Sequence, residues 1–189
     1  MLKAACRWAW KRHELTKADP TSRMIMPNVR NERQVYLTRK GMLQACRACT
    51  MWKAQIAIRV AFYTGMRLGE LWNVEVHGNV LVLRDSKNGE PRAVPAHPRI
   101  QHLLGRLPLT GSKRGVQRAW ERARKAAGIG NVHFHDLRHS AASEMVNAEV
   151  PLYTVGKLLG HRDPRSTQRY AHLSADTLAE AIGTIGRRA

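Results

Sequence analysis

Residues 52–71 read WKAQIAIRVAFYTGMRLGEL, and this stretch decides how the first half of the fold is built. Trp52 and the apolar residues 4, 8 and 11 positions later stand at the spacing of one helical face, so we expect a helix whose face meets a core. Gly65 is predicted to end that helix, and Arg67 follows in the turn. Glu70 lies three residues beyond Arg67, close enough to hold its guanidinium group.

Towards the N-terminus, the sequence predicts a short helix over residues 2–13 and an irregular basic stretch that continues to Val35. Thr38 can cap the helix that follows, although Gly41 stands where a capping box would have Glu. Cys46 and Cys49 form a CxxC pair with no second Cys or His pair at zinc-finger spacing. They share a helical stripe with apolar residues, so we expect core thiols.

Beyond residue 71 the periodicity changes. Residues 79–83 and 92–95 are short extended runs, and Asn88-Gly89 between them is a hairpin turn signal.

Helices return after Ser112, with predicted ends at Gly128 and Gly160 and a last helix that begins near Ser174. The predicted fold class is therefore mainly α with a small antiparallel β-sheet or hairpin.

The composition favours a polyanionic partner. There are 32 Lys and Arg against 14 Asp and Glu, a formal charge of +18, which attracts nucleic acid and has no use in folding. Three cysteines, an odd number, indicate a reducing compartment, and no apolar run approaches the roughly 18 residues of a membrane span.

Arginine is the main candidate for handling phosphate. Cleavage of a phosphodiester needs charge stabilisation at a five-coordinate phosphorus, and the carboxylates that would hold metals are few and scattered here. A guanidinium can instead grip two phosphate oxygens. In His135-Asp136-Leu137-Arg138-His139, a helix that opens near His135 places His135 and Arg138 on one face.

A nucleophile could come from Tyr170. It follows His161 by nine residues and lies in the segment 166–172, STQRYAH. A phenol with a pKa of about 10 is a poor nucleophile until a neighbour takes its proton or stabilises its anion, which His and Arg can do. Taken singly, each of these residues is more often structural than functional.

Taken together, the segments TGMRLGEL, HDLRH, LLGH and TQRYAHL resemble, in order and spacing, the sequence blocks of the tyrosine recombinases, the phage-integrase family. The likeness covers roughly residues 38–173 and implies the catalytic-domain fold of that family. The catalytic set that it implies is Arg67, Lys87, His135, Arg138, His161 and Tyr170. The supporting residues are Glu70, Asp136 and His139.

The resemblance also implies roles. Arg67 and Arg138 would clamp the scissile phosphate, and two histidines would hydrogen-bond its oxygens, with His135 the better acceptor of the tyrosine proton. Lys87, on the hairpin, would protonate the leaving 5′ oxygen, and Tyr170 would form a 3′-phosphotyrosine link. No metal or other cofactor is implied.

The same likeness implies an organisation and partners. Residues 1–33 would be a remnant of an N-terminal core-binding domain helix with a basic linker, and residues 34–189 the catalytic domain. The expected partners are double-stranded DNA at attachment or recombination sites, accessory DNA-bending proteins, and further copies that assemble from monomers into a tetramer on DNA. The apolar stripe of Leu178, Ile182 and Ile185 would be buried in a neighbour or on its own subunit. We expect a phage or mobile-element protein of the bacterial cytoplasm, associated with the nucleoid.

Three alternatives stay open at this point. A type IB topoisomerase-like enzyme would use the same chemistry to relax supercoils, and a truncated DNA-binding remnant would keep the fold without recombination. A zinc hydrolase could be built on His135 and His139, four residues apart, but it lacks the Glu and the third ligand that such a site needs.

Overall fold

The computed structural model describes residues 2–14, 16–25, 35–84, 91–161, 165–168 and 170. The chain divides into two compact units, Met1–Gln34 and Val35–Ala189. The α-helices are α1 (Leu2–His13), α2 (Arg39–Ala48), α3 (Trp52–Thr64), α4 (Lys113–Ala126), α5 (Asp136–Asn147), α6 (Leu152–Leu159) and α7 (Arg165–Gln168). Two 3₁₀ helices span Leu68–Trp72 and Pro98–Arg106, and the strands are β1 (Glu75–His77), β2 (Val80–Leu83) and β3 (Arg92–Pro95).

The first unit is the helix α1 with the turn that follows it. Two side chains of the helix hold this turn in place. Lys3 donates a hydrogen bond to the carbonyl of Met24 at 2.9 Å, and Arg7 pairs with Asp19 at 3.0 Å. No residue of α1 is buried within this unit, and Trp8 is 62% exposed. The predicted helix over residues 2–13 is therefore present.

The second unit begins at α2, whose start follows the predicted cap. The hydroxyl of Thr38 accepts a hydrogen bond from the backbone N–H of Gly41. A Cβ added at Gly41 would lie 2.6 Å from a methyl group of Leu37, so a Glu at this capping-box position would require the Leu37 side chain to shift. Cys46 and Cys49 are buried thiols in the core, as expected.

Helix α3 is the centre of the second unit and contacts α2, α4, α5 and both 3₁₀ helices. Ile56 and Val60 are buried as predicted, and Tyr63 is partly buried. The prediction for Trp52 was wrong, because it is 52% exposed. At the first position of α3 its ring lies beyond the core and is covered by the cations of Lys53 and Arg106.

The sheet is antiparallel with the order β1-β2-β3, and β1 has only three residues. Leu81 pairs with Val94 in the register of β2 and β3, and both are buried. The turn predicted at Asn88-Gly89 lies outside the described residues. The predicted class, mainly helical with one small antiparallel sheet, is confirmed.

Two glycines in the left-handed region end the helices that matter for the site. Gly65 (φ 67°) closes α3 and Gly160 (φ 68°) closes α6, both at the predicted positions. The helix predicted from Ser174 lies outside the described residues. Within the described ranges, none of the helices is long and apolar enough to cross a membrane.

Candidate active site

Arg67 emerges from the turn that Gly65 makes at the end of α3. The Glu70 carboxylate accepts hydrogen bonds from the backbone N–H of Arg67 at 2.8 Å and from its guanidinium at 2.9 Å. Glu70 is buried, whereas the side chain of Arg67 is 31% exposed. One nitrogen of the Arg67 guanidinium is therefore fixed by Glu70, while part of the side chain stays accessible.

Glu70 also binds a second arginine, Arg92, for which the sequence predicts only a place in a short extended run. Arg92 on β3 meets the Glu70 carboxylate at 2.8 and 3.2 Å and donates from Nε to the carbonyl of Leu158 at 3.0 Å. Its side chain is 6% exposed. Strand alternation could have identified it, because Arg92 shares the face of the buried Val94.

The two arginines decide the ionisation of Glu70. Burial alone would raise the pKa of this carboxyl, but the hydrogen bonds and charge of Arg92, followed by the hydrogen bonds of Arg67, outweigh burial and lower the pKa below its usual value. Glu70 is therefore ionised in the fold and keeps both guanidinium groups in place.

Arg138 on α5 is 3% exposed and is fixed by the ends of two other helices. It donates to the carbonyl oxygen of Gly65 at 2.8 Å and to that of Leu159 at 2.6 Å. These carbonyls lie at the C-terminal ends of α3 and α6, where the helix dipole attracts a cation. Burial, then the charges of Arg67 and Arg92, lower the pKa of Arg138 to about 9, so it stays charged at neutral pH.

Arg67, His135 and Arg138 line one cavity of about 370 Å³. Arg124 and His133 add further basic groups, and among the described residues only Glu121 contributes a carboxylate to the lining. The cavity is therefore suited to an anion.

Asp136 does not line this cavity but shapes the turn that leads into α5. Its carboxylate accepts a hydrogen bond from the backbone N–H of His133 at 2.8 Å, and the residue is 1% exposed. The turn that carries His133 and His135 to the cavity is held in this way.

Tyr170 is 1% exposed, and its hydroxyl meets Nδ1 of His139 at 2.5 Å. Tyr170 is not among the described residues that line the cavity. It does interact with Arg138, and this interaction partly opposes the lowering of the pKa of that arginine. The His139 ring in turn contacts the ring of His135 edge-on, with 5.0 Å between centroids. The structure thus places His139 within hydrogen-bonding distance of the tyrosine hydroxyl.

His161 follows the end of α6 and turns towards α7. Its Nδ1 lies 2.8 Å from the hydroxyl of Thr167, which packs against Gly156. It is not among the described residues that line the cavity of Arg67 and Arg138. Lys87 lies outside the described residues. In the part of the chain that is described, no three His, Cys, Asp or Glu side chains group as metal ligands.

The fold is a helical domain with a small sheet, and its site combines guanidinium, imidazole and phenol groups. The sequence profile of the phage integrase family matches residues 39–177, which is most of the chain. The chain therefore belongs to the phage integrase family.

Individual proteins agree with this assignment. The tyrosine recombinase XerA of Saccharolobus solfataricus is 31% identical over 168 residues, which are 81% of this chain. This chain spans 57% of that relative's length. The crystal structure of the catalytic domain of bacteriophage HP1 integrase matches 78% of this chain and 93% of its own, with a TM-score of 0.65 and 22% identity. A lambda integrase tetramer bound to a Holliday junction matches 89% of this chain and 56% of its own, with a TM-score of 0.66 and 22% identity.

Proposed function

We propose that this chain is the catalytic part of a site-specific DNA recombinase that cleaves and rejoins strands without a metal. The observation that carries the proposal is the convergence of Arg67, His135 and Arg138 on one anion-binding cavity, with the buried Tyr170 beside the next turn of α5. Membership of the phage integrase family supports it.

In the proposed reaction, Arg67 and Arg138 hold the scissile phosphate and neutralise the charge that develops on its oxygens. Tyr170 attacks phosphorus, its proton passes to a neighbouring base, and the bond to the 5′ oxygen breaks. His135 is the proposed base, Lys87 the acid for the leaving 5′ oxygen, and His161 a further donor to the phosphate. Attack by a 5′ hydroxyl on the phosphotyrosine reverses these steps, so no external energy source is needed.

We propose double-stranded DNA as the substrate and a tetramer on DNA as the assembly in which strands exchange. The charge of +18 supports the first, and the lambda integrase tetramer on a Holliday junction supports the second. Residues 34–189 would form the catalytic domain and residues 1–33 a linker with the last helix of a DNA-clamping domain. The proposed cellular setting is the bacterial cytoplasm, with a phage or mobile element as the source.

The test is incubation of the chain with nicked attachment-site DNA in EDTA, followed by a denaturing gel. Covalent protein–DNA complexes are expected, because the nick lets the short product diffuse away and traps the phosphotyrosine. Sequence-specific binding without any covalent complex would instead identify a DNA-binding remnant. Cleavage that is lost in EDTA and restored by a divalent metal would contradict the mechanism.

A further inference from the structure

A second basic cavity, of about 290 Å³, lies where α2, α3 and the 3₁₀ helix Pro98–Arg106 meet. Three arginines and a histidine line it, one or two from each element: Arg39, Arg59, Arg99 and His102. Among the described residues, none lines both this cavity and that of Arg67 and Arg138. It is therefore a separate basic site.

Charge in this cavity is not balanced by an ion pair among the described residues. Glu144 lines an adjoining cavity that shares Arg39 and Arg99 with this one, but among the described residues it forms no ion pair with either. Within the described ranges no acidic residue lines the cavity, and the ion pairs formed there involve none of its three arginines. Arg67 and Arg92, by contrast, share the carboxylate of Glu70. Like charges brought together without a counter-charge repel one another, so the cavity is suited to an anionic ligand.

Arg59 is the arginine that α3 contributes to the cavity lining. Its guanidinium also interacts with the Cys46 thiol and opposes the rise in the pKa of that thiol that burial causes. Its Nε is buried without an acceptor among the described residues and is not accessible to a ligand in this conformation. Arg59 therefore contributes its positive charge to the wall of the cavity.

The cavity is also built to hold its shape. Arg39 donates from Nε to the hydroxyl of Tyr63 at 3.1 Å, and the Tyr63 ring stacks on His97 with 4.6 Å between centroids. Nδ1 of His97 accepts from the backbone N–H of Arg99 at 3.1 Å. This series of contacts links the side chain of Arg39 to the backbone of Arg99.

We propose that this cavity binds a phosphate group, at a site distinct from that of the scissile phosphate. A phosphate offers more acceptor oxygens and more negative charge than a carboxylate, which matches several guanidinium groups that bind oxygens in pairs. The phosphate comes either from the DNA backbone or from a free phosphate compound. This inference does not depend on whether the chain cleaves DNA.

The test is a calorimetric titration of the protein with inorganic phosphate at constant ionic strength. The wild type is expected to show two phosphate sites. Arg59→Gln and Arg99→Ala should each weaken one site about tenfold, which corresponds to about 1.4 kcal/mol. Arg67→Gln should weaken only the other site. Arg47→Ala is the matched control, because it removes the same charge from an exposed position on α2.

Two DNA-binding outcomes identify the source of the phosphate. In the first outcome, log affinity falls less steeply with log salt for the double variant Arg39→Ala/Arg99→Ala than for Arg47→Ala, by about 1 in the slope. The ligand is then a backbone phosphate. If that slope equals the control's while phosphate binding is lost, the ligand is a free phosphate compound. Either result supports the site.

Two other results would overturn the proposal. One is phosphate binding by folded Arg59→Gln and Arg99→Ala that equals binding by Arg47→Ala, with folding checked by circular dichroism. The other is a wild type whose sole phosphate site is the one that Arg67→Gln removes, as expected if an acidic protein segment fills the cavity. Arg99 is exposed, so its variant is informative even if Arg59→Gln fails to fold.

Discussion

The arginine cavity and the tyrosine are held in place by different parts of the molecule. Arg138 is fixed by carbonyls at the ends of α3 and α6, and Arg67 by a buried carboxylate that it shares with Arg92. Tyr170 follows the four-residue helix α7, and its hydroxyl contacts a side chain, His139. The anion-binding half is therefore held by backbone carbonyls and a buried carboxylate, whereas the proposed nucleophile lies on a short segment whose tyrosine ring packs into a second buried cluster.

This difference has a consequence for mutants. Changes in the arginine half should alter both stability and charge stabilisation, because its ligands are core elements. Changes in the tyrosine half that keep the packing of the buried Tyr170 ring, such as loss of its hydroxyl, should alter chemistry with little effect on the fold.

The largest effect is expected from Arg138→Lys. A lysine keeps the charge but cannot bridge the carbonyls of Gly65 and Leu159 and still face the phosphate, so the rate of covalent complex formation should fall by about 10²- to 10³-fold. The measurement is a single-turnover cleavage assay on nicked DNA. Arg124→Lys is the control, because Arg124 lines the same cavity but donates to the carbonyl of Gly130. Equal losses in the two variants would contradict the special placement of Arg138.

His135, at the N-cap of α5, and His139, within α5, should affect the cleavage rate to extents that differ by about an order of magnitude. His135→Gln is expected to slow cleavage about 10²-fold, since it removes the proposed base at the cavity. His139→Gln should cost only about tenfold, because an amide can still hydrogen-bond the Tyr170 hydroxyl. The assay is the same single-turnover measurement over a range of pH. A larger loss for His139→Gln would transfer the role of base to His139.

Glu70→Gln is expected to lower the free energy of unfolding at pH 7 by about 3 kcal/mol, because it leaves two buried arginine contacts uncompensated. The pKa of Glu70 is lower in the folded than in the unfolded chain. Its contribution is therefore complete above the usual value of about 4.3 and is lost as the pH falls through the lowered folded pKa. Urea unfolding from pH 7 to pH 3 should show the two proteins converging at the acid end.

The control for this prediction is Glu75→Gln. Glu75 also pairs with an arginine, Arg84, but its side chain is 43% exposed. Its loss should matter much less, because water screens an exposed pair. A stability difference between wild type and Glu70→Gln that stays constant down to pH 3 would contradict the ionised Glu70.

A smaller effect is expected from Gly65→Ala. Gly65 has a φ of 67°, and an added Cβ would clash with a methyl group of Leu159, so the variant should lose about 1–3 kcal/mol of unfolding free energy. Gly69→Ala is the matched control four residues later, where an added Cβ meets nothing within 4 Å. Thermal or denaturant unfolding measures both. Equal stability of the two variants would show that the turn beneath Arg138 tolerates a side chain.

The helix ends and the common face of His135 and Arg138 could be predicted because they depend on local signals. That Arg67 would join them was implied only by the family resemblance. Gly65 and Gly160 mark left-handed caps, and the three-residue step from His135 to Arg138 fixes which face of α5 they share. The exposure of Trp52 could not be predicted in this way, since a helical stripe does not say where the neighbouring element ends.

The contacts between distant segments were not available from spacing. Arg92 reaches Glu70 across 22 positions, and Tyr170 reaches His139 across 31. Helical periodicity places His135 and His139 on the same face, one turn apart, so it could not decide which of them meets the tyrosine. That choice depends on how α7 packs, which is a tertiary property.

The most direct test of the proposed mechanism is to map the covalent link. The adduct formed on nicked DNA is digested with protease, and the peptide that carries the nucleotide is identified by mass spectrometry. Attachment is expected at Tyr170, and Tyr170→Phe should bind the same DNA with nearly unchanged affinity and form no adduct. Attachment at Tyr36, Tyr63 or Tyr153, or an adduct formed by Tyr170→Phe, would contradict the mechanism.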